Sequence, residues 1–480
     1  MMMRRWCWLS SKISPPSEAY NYSYSYSKEH HLIWLIQSCI TMRHLEQLHA
    51  RIIRTGFDQH IFVLAKLLTF CADSDHHIAT DHALSLFNHI QHPDTFIWNT
   101  VIRALAKARR TQDAFLLFRT MRRSGNSPDN FTFAFLLKLC GDLPTAAMGA
   151  QLHGSVLTHG FQTHSFVRNT LVHMYGLFGD MSNAYQVFEE IPGADADIVL
   201  WNSLIDGHVH CGHYREALRV FERMQRSGFT PDDATIVVTL SACSELGELD
   251  YGKRIHARLS RSMLRDFVSV SNALIDMYAK CGEIDRAVDV FEGMKERSVI
   301  SWNSMILGLA MHGRAGQALV LFDRMRGQAS PDGITFLGVL CACAHGGLVE
   351  EGKYYFESMT KDYGIKPMVQ HYGCLVDLFG RMGFLREGYD LINGMQVKGN
   401  AVVWRALLAA CRVHGEVELG ELVQRNLQEL EEHSSDYVLL SHVYAGAGQW
   451  NQVFRLRGMM HGRGVKKPGP GNSLIREHMF

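Results

Sequence analysis

Apolar residues recur along this chain with the spacing of amphipathic helices. Between residues 95 and 129 they form two stripes at i, i+3, i+4 and i+7, separated by a polar stretch that runs from Arg109 to Gln112. The stripes consist of Trp98, Val101, Ile102 and Leu105, and of Ala114, Leu117, Phe118 and Met121. Pro128 and Asp129 are typical of a helix end followed by the N-cap of the next helix. The segment is therefore predicted to be a helical hairpin.

This hairpin is one member of an internal repeat. Its tryptophan recurs at a nearly constant separation of 103, 101 and 102 residues, at Trp98, Trp201, Trp302 and Trp404. Segments such as "FRTMRRSGNSPD" and "FERMQRSGFTPD" each close on Pro-Asp, which divides the chain further into units of about 35 residues. A hairpin of this size cannot bury both apolar stripes alone, but stacked hairpins share a continuous core. The pattern predicts an all-α fold, a right-handed α-solenoid of stacked helix-turn-helix repeats with a long groove.

Composition narrows the class of protein without identifying a partner. The 48 basic side chains equal the 48 acidic ones, so the chain lacks the overall positive charge of most nucleic-acid-binding domains. Charge is uneven locally, with seven basic and one acidic residue at 103–123 and six glutamates with one arginine at 416–432. No run of about 18 apolar residues is present, and we expect no membrane-spanning helix.

The cysteines and histidines follow the repeat rather than a metal-binding or catalytic motif. Five of the eleven cysteines fall at one repeat position, which indicates packing, and no C-x-x-C pair occurs. They are Cys39, Cys140, Cys243, Cys343 and Cys411. Histidines likewise share one repeat position, at His49, His153 and His256, which favours packing over metal ligation.

No catalytic constellation is found. The "HLE" at 44–46 is not followed by the P-C-x-x-C of zinc deaminases, and Lys353 lacks the glycine spacing of a phosphate-binding loop. We expect no catalytic residues, no metal, no cofactor and no small-molecule substrate.

The Trp-Asn start, the terminal Pro-Asp and the repeat length resemble those of plant pentatricopeptide repeat proteins, in the branch whose units alternate in three lengths. The 35-residue units with Trp-Asn and a terminal Pro-Asp resemble the P type. Units containing "LLKLC" with "QLHGSVLTHGF" resemble the L type, and those containing "NTLVHMYGLFGD" with "AYQVFEEIP" resemble the S type. On this resemblance residues 29–400 divide into L 29–60, S 61–94, P 95–129, L 130–164, S 165–197, P 198–232, L 233–267, S 268–298, P 299–332, a variant L 333–368 and a variant S 369–400.

The remaining segments also resemble parts of that family. Residues 401–434, with "VVWRALLAACRVHG", and 435–473, with "DYVLLSHVYAGAGQW", resemble the E1 and E2 motifs of the editing branch, and 474–480 form a short tail. Residues 1–28 combine Arg4, Arg5 and Lys12 with many serines and few acids, which favours an organellar transit segment over a merely disordered leader. The expected location is a mitochondrion or chloroplast, with the mitochondrion favoured.

Five asparagines recur at the fifth position of their units, and their short amide carries both a donor and an acceptor, which suits the edge of an unstacked base. The resemblance implies that each works with the last residue of its unit. The candidate RNA-base-reading pairs are Asn99 with Asp129, Asn169 with Asp197, Asn202 with Asp232, Asn272 with Ser298, and Asn303 with Asp332. Asp195 is an alternative to Asp197, because the "IPGADAD" segment is two residues longer than expected. Helix capping is the alternative role for these residues, and for the aspartates the two roles are compatible.

The resemblance implies a sequence-specific single-stranded RNA-binding protein of an organelle, used as a site-recognition factor for cytidine-to-uridine editing. In the family, asparagine with aspartate favours pyrimidines, usually uridine, and asparagine with serine favours cytidine. The implied partners are organellar RNA, a DYW-type cytidine deaminase acting in trans and other organellar editing factors. Two alternatives stay open: a factor for transcript stabilisation or splicing, and a protein-binding solenoid like the tetratricopeptide repeats, which the neutral charge favours.

Overall fold

The computed structural model describes residues 23–465, leaving out 40, 75–76, 142, 144–145, 191–196, 260–261, 396–399, 432 and 464. Most of the leader assigned to residues 1–28, the tail assigned to 474–480 and the alternative Asp195 lie outside the described residues. The chain divides into two compact units, the first ending at Thr230 and the second beginning at Pro231.

Both units are built from helices. The first contains α1 (Ser23–Gln37), α2 (Met42–Arg54), α3 (Ile61–Asp73), α4 (His77–Asn88), α5 (Thr95–Lys107), α6 (Thr111–Arg123), α7 (Asn130–Cys140), α8 (Ala147–Thr158), α9 (Ser165–Leu177), α10 (Met181–Glu189), α11 (Ile198–His210) and α12 (Tyr214–Arg226). The second contains α13 (Asp233–Leu246), α14 (Leu249–Leu259), a 3-10 turn (Met263–Asp266), α15 (Val268–Lys280), α16 (Ile284–Gly293), α17 (Val299–Met311), α18 (Ala315–Arg326), α19 (Gly333–Gly346), α20 (Val349–Lys361), α21 (Val369–Met382), α22 (Leu385–Asn393), α23 (Ala401–His414), α24 (Val417–Leu430), α25 (Ser434–Gly446) and α26 (Trp450–Gly462). Every regular element of the described residues is a helix, so the predicted all-α class is confirmed.

Odd-numbered helices are the first helices of successive hairpins, and even-numbered helices are the second. Within each unit a first helix packs on its own second helix and on the first helix of the next hairpin, as α9 does on α11 and α17 does on α19. A Cβ placed on Gly176 of α9 would lie 2.7 Å from the Cα of Gly207 of α11, so these two backbones are in direct contact. The predicted stack of hairpins is therefore present in each unit.

The recurring tryptophan joins one hairpin to the preceding one. Its indole is buried, with at most 5% of its surface exposed, and it meets an aromatic ring of the preceding second helix edge-on. The pairs and their ring-centroid distances are Trp98 with Phe87 (4.6 Å), Trp201 with Phe188 (4.7 Å), Trp302 with Phe291 (5.0 Å) and Trp404 with Tyr389 (5.5 Å). Such contacts stabilise cores beyond the area they bury. The tryptophan is thus a packing residue that holds every third hairpin against the preceding one.

A left-handed residue makes the turn between the two helices of most hairpins. Glycine usually occupies it, as Gly313 does between α17 and α18 with φ of 70°. In the α5–α6 hairpin the position is taken by Arg109, with φ of 55°, the one positive-φ residue other than glycine among the described residues. A side chain with a Cβ is strained in this conformation, so this turn carries a backbone cost that the other hairpins avoid.

The recurring cysteines and histidines have packing roles. Burial raises the pKa of the thiols of Cys140, Cys243, Cys343 and Cys411 to about 12, so they are protonated packing groups, while Cys39 is half-buried. His153 and His256 each meet the hydroxyl of a tyrosine on the next first helix, Tyr175 at 2.8 Å and Tyr278 at 2.9 Å. His49 instead meets the ring of His82 edge-on.

Candidate nucleic-acid interface

The five asparagines lie at the same place in their helices. Each is the fifth residue of a first helix: Asn99 of α5, Asn169 of α9, Asn202 of α11, Asn272 of α15 and Asn303 of α17. This position is one turn inside the helix, so the capping alternative is wrong for the asparagines. Their shared depth in the helix places them at one level of the stack within each unit.

The five partner residues are all N-caps, so the capping interpretation is right for this half of each pair. Each side chain accepts a hydrogen bond from the backbone N–H three residues later. The donors and distances are Thr132 to Asp129 (2.9 Å), Leu200 to Asp197 (2.8 Å), Thr235 to Asp232 (2.8 Å), Ser301 to Ser298 (3.3 Å) and Thr335 to Asp332 (2.8 Å). A cap position fixes where the side chain stands relative to the start of the next first helix.

Three predicted pairs are joined by hydrogen bonds between side chains. Their members are about 30 residues apart in sequence and meet because consecutive first helices lie side by side. The amide Nδ2 donates to the carboxylate from Asn99 to Asp129 (2.8 Å), from Asn169 to both oxygens of Asp197 (3.1 Å each) and from Asn303 to Asp332 (3.0 Å). The structure therefore brings together residues that only the repeat phase linked in sequence.

The remaining two pairs are Asn202 with Asp232 and Asn272 with Ser298. Asn202 lies on α11 of the first unit, whereas Asp232 caps α13 of the second unit. Ser298 shares a hydroxyl contact with Ser301 at 3.2 Å, and the Oδ1 of Asn272 is buried with no hydrogen-bond partner among the described residues. Burial of an unpaired amide oxygen costs free energy of folding. This oxygen of Asn272 can still accept a hydrogen bond.

The carboxylate of the Asn303–Asp332 pair is held in its charged form. Burial by itself acts to raise the pKa of Asp332, but hydrogen bonds from the backbone and hydroxyl of Thr335 and from Asn303 bring it below its ordinary value. Asn303 is only 6% exposed and Asp332 is half-buried. The pair therefore presents an ionised acceptor beside a fixed amide donor.

A row of exposed apolar side chains accompanies the pairs, and sequence reasoning missed it. These side chains occupy the second residue of the first helices, three before the fifth position that carries the asparagine in the paired helices, and so they share the face of that position. They are Phe62, Phe96, Phe131, Phe166 and Val199 in the first unit and Ile300, Ile334 and Val402 in the second, each between 46% and 64% exposed. The rings of Phe131 and Phe166 lie 6.0 Å apart. The sequence could have indicated this row, because an apolar residue outside the buried stripe recurs at the same position of successive repeats.

Some basic residues on the first helices are paired with acids. Arg103 of α5 lies 3.2 Å from Asp73, and Lys280 of α15 lies 2.9 Å from Glu245 and 3.1 Å from Asp276. This face thus combines amide–carboxylate pairs and apolar side chains with balanced charge. In the described part of the chain, no group of three or more His, Cys, Asp or Glu side chains is arranged to hold a metal ion. Among the helices described, none combines the length and apolar character of a membrane span.

Comparison with known families agrees with the repeat. The "PPR repeat family" model matches residues 93–142 and 196–245, the "PPR repeat" model matches 166–194, 269–299, 300–328 and 371–400, and the "E motif" model matches 414–476. A pentatricopeptide repeat-containing protein of Arabidopsis thaliana, named as chloroplastic/mitochondrial, is 42% identical over 490 residues, covering 97% of this chain and 75% of the relative. The chain belongs to the pentatricopeptide repeat family. Its E motif places it in the E-type subgroup of the plant proteins.

Other relatives of this pentatricopeptide repeat protein give the same result. A second Arabidopsis thaliana member is 37% identical over 512 residues, covering 92% of each chain. A third, named as chloroplastic, is 36% identical and covers 97% of this chain and 80% of the relative. Among solved structures, the pentatricopeptide repeat protein PPR10 in complex with an 18-nt psaJ RNA element aligns with a TM-score of 0.69 at 20% identity, covering 88% of this chain and 64% of that chain. That likeness establishes the repeat solenoid fold.

Proposed function

We propose that this pentatricopeptide repeat protein binds single-stranded RNA and reads bases with its asparagine-containing pairs. The observation that carries the proposal is the repeated face that joins an Asn–Asp hydrogen bond to exposed apolar side chains. Asn99 follows exposed Phe96 by three residues on its own helix, and exposed Phe131 holds the matching position of the next first helix. Ile300 and Ile334 hold these two positions for Asn303. Bases stack on apolar and aromatic side chains while polar groups contact their edges, so this arrangement suits one unstacked base for each pair. The RNA-bound state of the PPR10 structure supports it.

The proposed biological role is recognition of an editing site in an organellar transcript. The E motif match at residues 414–476 and the relatives named as chloroplastic or mitochondrial support this role. The chain would hold the RNA in register and present one cytidine to a deaminase supplied in trans. On α26, Trp450 and Phe454 are 59% and 74% exposed and lie four residues apart on one face, which suits docking of another protein.

RNA binding is tested with the Asn303→Ala variant and a matched Gln317→Ala control, which alters an exposed amide on the second helix of the same hairpin. One lost base contact is worth roughly 1–3 kcal/mol, so we expect Asn303→Ala to weaken binding about five- to a hundredfold while the control binds as the wild type does. RNA libraries randomised one position at a time show which nucleotide Asn303 reads. Equal binding by both variants, or no binding of RNA by the wild type, would refute base reading.

The editing role is tested in plants lacking the protein. Complementation with the wild type is expected to restore conversion of specific organellar cytidines, and complementation with Phe454→Ala is expected to leave RNA affinity intact but reduce conversion. Gln452→Ala changes an exposed side chain of the same helix and serves as the control. Altered transcript abundance or splicing with normal conversion would contradict the editing role and support RNA stabilisation or splicing instead.

A further inference from the structure

A threonine hydroxyl contacts the asparagine in the Asn99–Asp129 and Asn303–Asp332 pairs. Thr132 is the third residue of α7, and its Oγ1 donates to the Oδ1 of Asn99 over 2.6 Å. Thr335 occupies the same position in α19 and donates to the Oδ1 of Asn303 over 2.6 Å. Both threonines are fully buried. Each asparagine amide is therefore held at both ends, its oxygen by the threonine and its nitrogen by the aspartate.

The hydroxyl also changes how the amide uses the carboxylate. At Asp129 the amide of Asn99 and the backbone N–H of Thr132 both donate to a single oxygen, Oδ1. The Thr132 hydroxyl lies 2.9 Å from the same oxygen, so its one proton is shared between Asn99 and Asp129, with the shorter contact to Asn99. The Asn303 amide and the Thr335 backbone N–H donate in the same way to Oδ1 of Asp332, and the Thr335 hydroxyl is again shared between the asparagine and aspartate oxygens. The second oxygen of each carboxylate consequently keeps acceptor capacity, and the amide keeps its second N–H.

The Asn169–Asp197 pair shows the arrangement without a hydroxyl. The third residue of α11 is Leu200, which can make no such bond. The Oδ1 of Asn169 is buried with no hydrogen-bond partner among the described residues, and Nδ2 lies 3.1 Å from both oxygens of Asp197. This amide occupies both carboxylate oxygens, unlike the two amides held by threonine.

We propose that Thr132 and Thr335 are positioning residues that determine how sharply their Asn–Asp pairs discriminate between bases. The inference rests on the proposed base-reading function. With the amide fixed, one N–H donor and one carboxylate acceptor are offered at a constant separation. Uracil presents a carbonyl acceptor beside the N3–H donor, whereas cytosine presents the N3 acceptor beside an amino donor, so the two bases need different placements of the same pair. A pair that is held at both ends accommodates the second base less easily than a pair that can shift.

The test uses Thr335→Val, which removes the hydroxyl and keeps the shape of the side chain, with Thr335→Ser as the conservative variant. The nucleotide read by Asn303 is located first, as the position at which Asn303→Ala removes the base preference of the wild type. Dissociation constants are then measured for RNAs carrying uridine or cytidine at that nucleotide. We expect Thr335→Val to reduce the ratio of the two dissociation constants about two- to tenfold, which corresponds to one hydrogen bond. Thr335→Ser is expected to keep the ratio of the wild type.

The ratio separates positioning from a merely structural role, because loss of the capping hydroxyl alone would weaken binding to both RNAs equally. Thr132→Val provides an independent copy of the test at the nucleotide read by Asn99. In the Asn303→Ala background, Thr335→Val is expected to leave the ratio unchanged. A wild-type ratio retained by both valine variants overturns the positioning role while leaving base reading intact. Absence of any base preference in the wild type refutes the proposed function and the inference with it.

Discussion

Asp332 links two neighbouring hairpins, and its replacement separates its capping role from its reading role. It accepts hydrogen bonds from the Thr335 backbone N–H at 2.8 Å and from the Asn303 amide at 3.0 Å, and it shares the Thr335 hydroxyl, 2.9 Å away, with Asn303. Asp332→Ala removes the N-cap, which costs about 1 kcal/mol, and leaves the buried Asn303 amide without its acceptor, which costs about as much again. We therefore expect a loss of roughly 2 kcal/mol in the second unit. Asp332→Asn keeps a capping oxygen of equal quality and should cost far less.

Hydrogen exchange of the amides in α17 and α19 measures this cost locally, which suits a repeat protein that need not unfold in one step. RNA binding of the same two variants completes the assay. Both should alter the base preference at the nucleotide read by Asn303, because both remove the ionised acceptor. Equal destabilisation by alanine and asparagine would contradict the capping argument. An unchanged base preference in both variants would show that Asp332 is a cap and nothing more.

Three further predictions concern stability. Arg109→Gly should stabilise the α5–α6 hairpin relative to Arg109→Ala by roughly 0.5–1 kcal/mol, because glycine relieves the strained backbone at some cost in chain entropy. Gly313→Ala should destabilise the α17–α18 hairpin by a similar amount, and local hydrogen exchange showing alanine to be more stable than glycine at either turn would disprove this. Trp302→Ala removes a fully buried ring and should cost about 3–5 kcal/mol by thermal or chemical unfolding, and a cost below about 1 kcal/mol would be inconsistent with its packing role. Burial lowers the pKa of His256 below its ordinary value of 6.5. The free energy of unfolding should therefore decrease as the pH falls below 6.5, because the unfolded chain takes up a proton that the folded side chain resists. His256→Gln should flatten this pH dependence, and a slope identical to that of the wild type would argue against a contribution from His256.

Much of the fold could be predicted from the sequence because its causes are local. Apolar residues at i, i+3, i+4 and i+7, a Pro-Asp boundary and a glycine turn each act within one helix or one hairpin. The fifth-position asparagines and the N-cap residues could be located for the same reason, since repeat phase fixes both. The capping alternative holds for Asp129 and Asp332. It is wrong for Asn99 and Asn303, because these lie one turn inside their helices.

The tertiary structure alone decided how these residues meet. The contact between Asn303 and Asp332 spans 29 residues and depends on the distance at which consecutive first helices pack, which no local pattern specifies. The same packing brings the hydroxyl of Thr335 onto Asn303 and leaves Leu200 opposite Asn169, so two kinds of pair arise from repeats that look alike in sequence. The left-handed conformation of Arg109, with φ of 55°, likewise belongs to the folded hairpin, because an arginine by itself disfavours this conformation. Sequence thus determined the hairpins and their phase, while close packing between successive hairpins determined which donors and acceptors meet.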